Sequence, residues 1–164
     1  VVKYDATGQE LFVIDKSLRR VDITSARDAL NGYQKGKCFY CFCDIDLNNQ
    51  TVHVDHVFPH MLKPIFRATR LDINLDGIWN LVLTCQRCNL SKSDQRPHKK
   101  YIERLFTRNE FFISSHHPLR ETLINQTGSN VKERQVFLST LFNDLMTRGK
   151  IQNWVAPEEY PAVF

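Results

Sequence analysis

No stretch of this sequence approaches the roughly 18 consecutive apolar residues that a membrane-spanning helix needs. Its opening, Val1-Val2-Lys3, also lacks the basic, then apolar, then small-residue order of a secretory signal. Both absences make a soluble cytoplasmic protein the expectation. Internal repeats and low-complexity segments are missing too, which excludes solenoids and compositional tails. An initiator Met is absent, so the chain reads as a piece excised from something longer. Charge of one sign is in short supply: 22 Lys and Arg against 18 Asp and Glu leave a formal net charge of +4. That balance fits a polyanion partner without requiring one. What is present is an ordinary globular composition of 164 residues, 42% hydrophobic and 24% charged. Eleven Phe, two Trp and five Tyr supply enough apolar area for a real core.

Along the chain, Leu11-Phe-Val-Ile14 reads as a short strand, followed by the basic residues Lys16, Arg19 and Arg20. Asp22 reads as an N-cap to a helix with Ile23, Ala26, Leu30 and Tyr33 at helical spacing, stopped by Gly36. Val52 to Pro59 alternates as a strand and ends at a proline, and Trp79 to Thr84 reads as a second strand. Asn89 to Gln95 has helical character until Pro97. The remainder reads as helical: a stripe from Tyr101 to Ile113, a shorter helix from Leu119 to Ile124 ending at Gly128, and a third helix opened by an Asn130/Glu133 capping box. Phe137, Leu138, Leu141, Phe142, Leu145 and Met146 form its apolar face, and the tail from Trp154 reads as extended.

Cysteine is odd in number, at five, which argues against a closed disulfide framework. Four of the five fall into two Cys-x-x-Cys pairs, Cys38/Cys41 and Cys85/Cys88, as a tetrahedral four-thiolate zinc site requires. The long gap between Cys41 and Cys85 must carry something sizeable, and Cys43 is left over as a small buried side chain or a substitute ligand.

Between and beside the pairs stand Val54-Asp55-His56-Val57-Phe58-Pro59, Trp79-Asn80-Leu81 and Cys88-Asn89-Leu90-Ser91-Lys92-Ser93-Asp94. From Gly36 to Arg96 this text closely resembles the HNH nuclease family, which includes domains of restriction enzymes and CRISPR effectors. That family has an Asp-His pair on a first strand, an Asn on a second, and Asn-x-x-Lys opening a helix often fastened by zinc. The resemblance implies an α+β fold, a ββα-metal HNH core with structural zinc, flanked by an N-terminal helix and a helical C-terminal part. The corresponding segments are 1–35, 36–97 and 98–164, the last packing on the core.

The residue types suit the implied chemistry. Phosphodiester hydrolysis needs a base that is neutral near pH 7, and His56 has that side chain. It also needs a hard cation, Mg²⁺ or Mn²⁺, with few protein oxygens, for which Asp55 and Asn89 are the candidates. Neighbours on a regular strand face opposite ways, so β structure must be ending at His56 for Asp55 and His56 to serve one phosphate. The resemblance places Asn80 across from the histidine, bonded to backbone so as to fix the histidine-bearing loop. Lys92 shares a helix face with Asn89 and is expected to meet a phosphate.

The expected partner is DNA, contacted through Lys63, Arg67 and Arg70 of the connector and through Arg87 and Arg96, with little base specificity because such contacts reach phosphates. No small-molecule substrate and no membrane are expected. A larger defence complex, restriction or RNA-guided, or a missing specificity region is the expected setting. The competing expectation is a zinc-stabilised nucleic-acid-binding adaptor without catalysis.

Overall fold

The computed structural model describes residues 2–7, 9–14, 16–49, 51–64, 73–147 and 153–164, with the side chains of 20–24 and 145–147 left aside. Arg67 and Arg70 lie outside the described residues. The fold is α+β, as the sequence implies, with two small sheets and a run of C-terminal helices.

Strands β1 (Lys3–Asp5), β2 (Glu10–Ile14) and β3 (Arg20–Ser25) form an antiparallel meander in which Leu11 is wholly buried. Helix α1 (Ala26–Gln34) follows directly. Its cap is Ser25, whose side chain accepts the Asp28 amide at 3.1 Å, and not Asp22, which pairs with Phe12 inside β3. The helical spacing of Ile23 is coincidental: residues 20–25 satisfy their backbone groups through the β2 ladder, and the hydroxyl is the group that meets the first free helix amides. Lys35 and Gly36, both with positive φ, end α1 and turn the chain toward Cys38.

The second sheet pairs β4 (Val52–His56) with β5 (Leu81–Cys85), with His56 opposite Leu81. Helix α2 (Gln86–Lys92) follows β5 without a loop and packs on both strands, completing a ββα unit. The second strand starts later than its sequence suggests, because Ile78–Asn80 is a 3₁₀ turn. Buried Gln34 joins α1 to this unit. Its amide donates to the Lys37 and Leu83 carbonyls and accepts the Leu83 amide, each at 2.8 Å, and so supplies β5 with a side-chain ladder.

Helices α3 (Lys99–Ser114), α4 (Arg120–Thr127) and α5 (Val131–Thr147) pack together, α3 and α4 also reaching the 3₁₀ turn. Asn130 caps α5 by accepting the Glu133 amide at 3.0 Å. Trp79, fully buried, meets Phe137 of α5 edge-on at 4.9 Å. The tail pairs Trp154 with Pro97, then crosses the first cysteine turn, where the Tyr160 amide bonds the Cys41 carbonyl at 2.8 Å. Phe164 closes that corner against Tyr33 and Phe42.

Candidate metal and catalytic site

The four paired cysteines converge. The Sγ atoms of Cys38, Cys41, Cys85 and Cys88 all lie within 4.8 Å of one another, and Cys41 and Cys85 are 3.8 Å apart. A tetrahedron with Zn–S bonds of about 2.3 Å has edges of about 3.8 Å, so the thiols fit a zinc ion. The turn after Cys38 closes with the Phe42 amide on the Cys38 carbonyl at 3.0 Å, and Phe42 takes a positive φ of 61°. On the other side, Cys85 Sγ accepts the Cys88 amide at 3.4 Å as the N-cap of α2. The thiol pairs thus join the chain before β4 to the start of α2. Cys43 stands outside this four-thiol group.

β4 ends at His56, and the two neighbouring side chains enter separate sets of contacts. Asp55, 13% exposed, accepts the Tyr40 hydroxyl on Oδ2 at 2.6 Å and meets Lys92 Nζ at 3.1 Å on the same oxygen. Its Oδ1 has no hydrogen-bond partner among the described residues. Tyr40 is held protonated, its pKa pushed well up by burial and then by the Asp55 charge. His56 turns the other way and places Nε2 3.0 Å from Asp76 Oδ1. Asp76 also meets His60 Nε2 at 3.3 Å and Lys63 Nζ. Burial opposes ionisation of Asp76, but the bonds from Lys63 and His56 outweigh it and hold the carboxyl below its usual range. Burial lowers the His56 pKa against the opposing pull of Asp76. With an ionised Asp76 as acceptor, His56 carries its proton on Nε2 and leaves the Nδ1 lone pair open.

Asn80 is wholly buried behind this histidine. Its Oδ1 accepts the Phe58 amide at 2.8 Å, while Nδ2 donates to the Phe58 and Leu75 carbonyls at 3.0 and 2.9 Å. These bonds pin the segment after His56 to the segment before Asp76. Arg108 of α3 supports the same turn from inside the core. Its guanidinium donates to the carbonyls of Leu81 (2.7 Å), Trp79 (3.0 Å) and Ile78 (3.1 Å), and burial pulls its pKa down.

Two expected surface cations are buried instead. Lys92 does not face solvent, where a phosphate would meet it: its side chain is 1% exposed, bonded to the His56 carbonyl at 2.8 Å and paired with Asp55. Helical spacing puts Lys92 and Asn89 on one face, but that face packs on β4, and an ammonium there is tolerated because a carboxylate and a carbonyl receive it. Arg96 is buried as well, bonding Asn153 Oδ1 at 2.7 Å with its guanidinium over Phe142. Arg87 is exposed and pairs with Glu158 at 2.8 Å. Lys63 is at the site but engaged by Asp76. Asn89 is half-buried on α2, one turn before Lys92, and makes no side-chain hydrogen bond among the described residues.

Two residues at the centre were missed by sequence reasoning. They are Asp76, which precedes Gly77 before the second strand, and Tyr40, which lies between Cys38 and Cys41. The one available signal for Tyr40 is its place inside a Cys-x-x-Cys pair, next to whatever the zinc turn touches.

Among the described residues no helix is long and apolar enough to cross a membrane. No family model matches the chain, and no curated protein matches it. Among solved structures it is similar to the Type II-C Cas9 enzyme from Actinomyces naeslundii, with a TM-score of 0.40 and 20% identity over 78% of this chain. The chain spans 11% of that enzyme's length.

Proposed function

We propose that this chain is an HNH-type endonuclease domain that hydrolyses DNA phosphodiester bonds with His56 as general base. The observation that carries the reading is the state of two adjacent side chains at the end of β4. Among the described residues, His56 has Nε2 committed to Asp76 and Nδ1 open, while the adjacent Asp55 keeps one carboxylate oxygen without a partner. The oxygens left unengaged on Asp55 and Asn89 suit a hard divalent cation, Mg²⁺ or Mn²⁺, which takes few protein oxygens and retains water and substrate. Such an ion, when bound, offsets charge growing on the phosphate and the leaving oxygen. His56 Nδ1 then takes the proton of the attacking water, Asp76 stabilising the imidazolium that results. Asn80 holds the two segments that carry His56 and Asp76 in register. Zinc at the four cysteines fastens the start of α2, and with it Asn89, to the sheet.

DNA is the proposed substrate, with Lys63, Arg67, Arg70 and Arg87 as phosphate contacts. The proposed setting is prokaryotic defence, as part of a restriction or RNA-guided assembly. One observation favours the adaptor reading: Lys92 already neutralises Asp55 with no cation needed.

Purified protein is incubated with supercoiled plasmid and Mg²⁺ or Mn²⁺, beside His56→Ala and EDTA controls. The nuclease reading expects nicking or linearisation that both controls abolish. Cutting by His56→Ala equal to wild type sinks the mechanism. Plasmid binding without cutting, by wild type and His56→Ala alike, supports the adaptor.

A further inference from the structure

We propose that Tyr40 is a positioning residue for the Asp55 carboxylate and so ties the four-cysteine site to the cation site. The proposal rests on the nuclease reading, since it concerns Asp55 as a cation ligand. Tyr40 lies between Cys38 and Cys41, inside the first ligand pair. Its ring is fully buried and stands edge-on to Tyr101 and Trp154, with centroids 5.0 Å away in each case. Phe39 meets it edge-on at 5.2 Å. Its carbonyl is held by Arg104 Nη1 at 2.9 Å. Backbone and ring are therefore fixed together, and the hydroxyl is delivered to one point in space, 2.6 Å from Asp55 Oδ2.

Lys92 reaches that same oxygen from α2. Two donors converging on Oδ2 orient the carboxylate and leave Oδ1 as the oxygen that can face a cation. The donors come from opposite sides of the zinc site: Tyr40 from the turn between the first two thiols, Lys92 from the helix that Cys85 caps and Cys88 anchors. Zinc binding that sets the spacing of the pairs thereby sets where the two donors meet. A buried phenol also needs a partner merely to be buried. If that were its whole role, losing the hydroxyl would lower stability and leave cation affinity unchanged.

The test measures Mn²⁺ binding by electron paramagnetic resonance on the zinc-loaded full chain, with zinc content and circular dichroism recorded for each variant. Wild type is compared with Tyr40→Phe, Asp55→Asn and Tyr101→Phe, the last removing a buried hydroxyl from the same aromatic stack. Tyr40→Phe is expected to weaken Mn²⁺ binding about tenfold, the scale seen when partners of metal ligands are removed. Zinc content should not change, and Tyr101→Phe should bind Mn²⁺ as wild type does. Should Tyr40→Phe lose zinc, para-aminophenylalanine and para-methylphenylalanine at this position carry the comparison. The first keeps a donor and should retain binding; the second fills the space without one and should not. Equal Mn²⁺ affinity with and without a donor at Tyr40, while Asp55→Asn loses binding, overturns the positioning role alone. Unaltered Mn²⁺ binding by Asp55→Asn, or none by wild type, overturns the cation-site reading and this proposal with it.

Discussion

Asn80→Asp changes a single NH₂ group to oxygen in a side chain with no solvent exposure, so its cost can be worked from the bonds around it. The Phe58 amide keeps its acceptor, but the new oxygen faces the Phe58 and Leu75 carbonyls at the positions where Nδ2 now donates at 3.0 and 2.9 Å. Two hydrogen bonds are lost, and each carbonyl stays buried without a donor at about 1–3 kcal/mol. An unpaired buried charge adds to this, so at least about 3–5 kcal/mol is expected near neutral pH, the scale found when a buried ion pair loses one member. That is a large share of a typical domain stability of about 5–15 kcal/mol.

The sign of its pH dependence is opposite to that of most acidic residues. Burial against two carbonyls favours the protonated carboxyl, so the introduced Asp has a raised pKa in the folded state and an ordinary one, about 3.9, in the unfolded state. The variant is then closest to wild type below pH about 4 and loses ground as pH rises, by about 1.4 kcal/mol per unit, until the folded pKa is passed. Urea unfolding followed by fluorescence of the buried Trp79 and Trp154, at matched pH for variant and wild type, reads this directly. With a urea m-value of about 2 kcal/mol/M, the midpoint should fall by at least about 2 M at neutral pH. Asn80→Ala, which loses all three bonds without gaining a charge, should show a deficit that does not vary with pH. Equal stability of Asn80→Asp and wild type, or a gap that narrows as pH rises, would refute the account of the turn.

Further outcomes follow from the same contacts. Arg108→Met removes the guanidinium bonds to the Ile78, Trp79 and Leu81 carbonyls. Trp79 keeps Asn109 Nδ2 at 3.1 Å and Ile78 keeps the Leu81 amide, while the Leu81 carbonyl loses its buried donor. The change should therefore cost about 2–3 kcal/mol in urea unfolding, and a loss under about 0.5 kcal/mol would show that water takes its place. The protein should carry one zinc ion per chain, and chelation or Cys88→Ser should lower the melting temperature by about 10 °C, as a few kcal/mol does for a domain of this size. A preparation with no zinc and four freely reactive thiols counts against that site. Glu159 is disfavoured by burial, but its bonds from Lys100 and Tyr101 prevail and hold its pKa below the usual range. Its contribution is therefore present above the unfolded pKa and lost as pH falls through the folded one. Protection of the Ala156 and Tyr160 amides from hydrogen exchange should drop in acid and lose that dependence in Glu159→Gln; protection identical in both proteins at every pH is the contrary result.

The order of elements was legible in the sequence because it rests on local rules. A Cys-x-x-Cys pair can chelate through one turn, alternation from Val52 stops near Pro59, and Asn130 with Glu133 marks the start of a helix, each within a few residues. The same locality explains the errors. Asp22 looked like a cap because β3's partner, β2, lies outside a short window, and Asn80 looked like strand because the 3₁₀ turn is stabilised by Arg108, some thirty residues away in sequence. The convergence of four thiols followed from their spacing. The groups that engage Asp55 and His56 did not: Tyr40 and Lys92 on one carboxylate, Asp76 on the imidazole, and the burial of Lys92 and Arg96 all arise from contacts between distant segments. Whether a charged side chain is solvated or paired depends on what packs over it, and only the tertiary structure decides that. The sequence by itself determined which reactive groups this protein has and their order along the chain, while packing decided which of their atoms are engaged and which remain open.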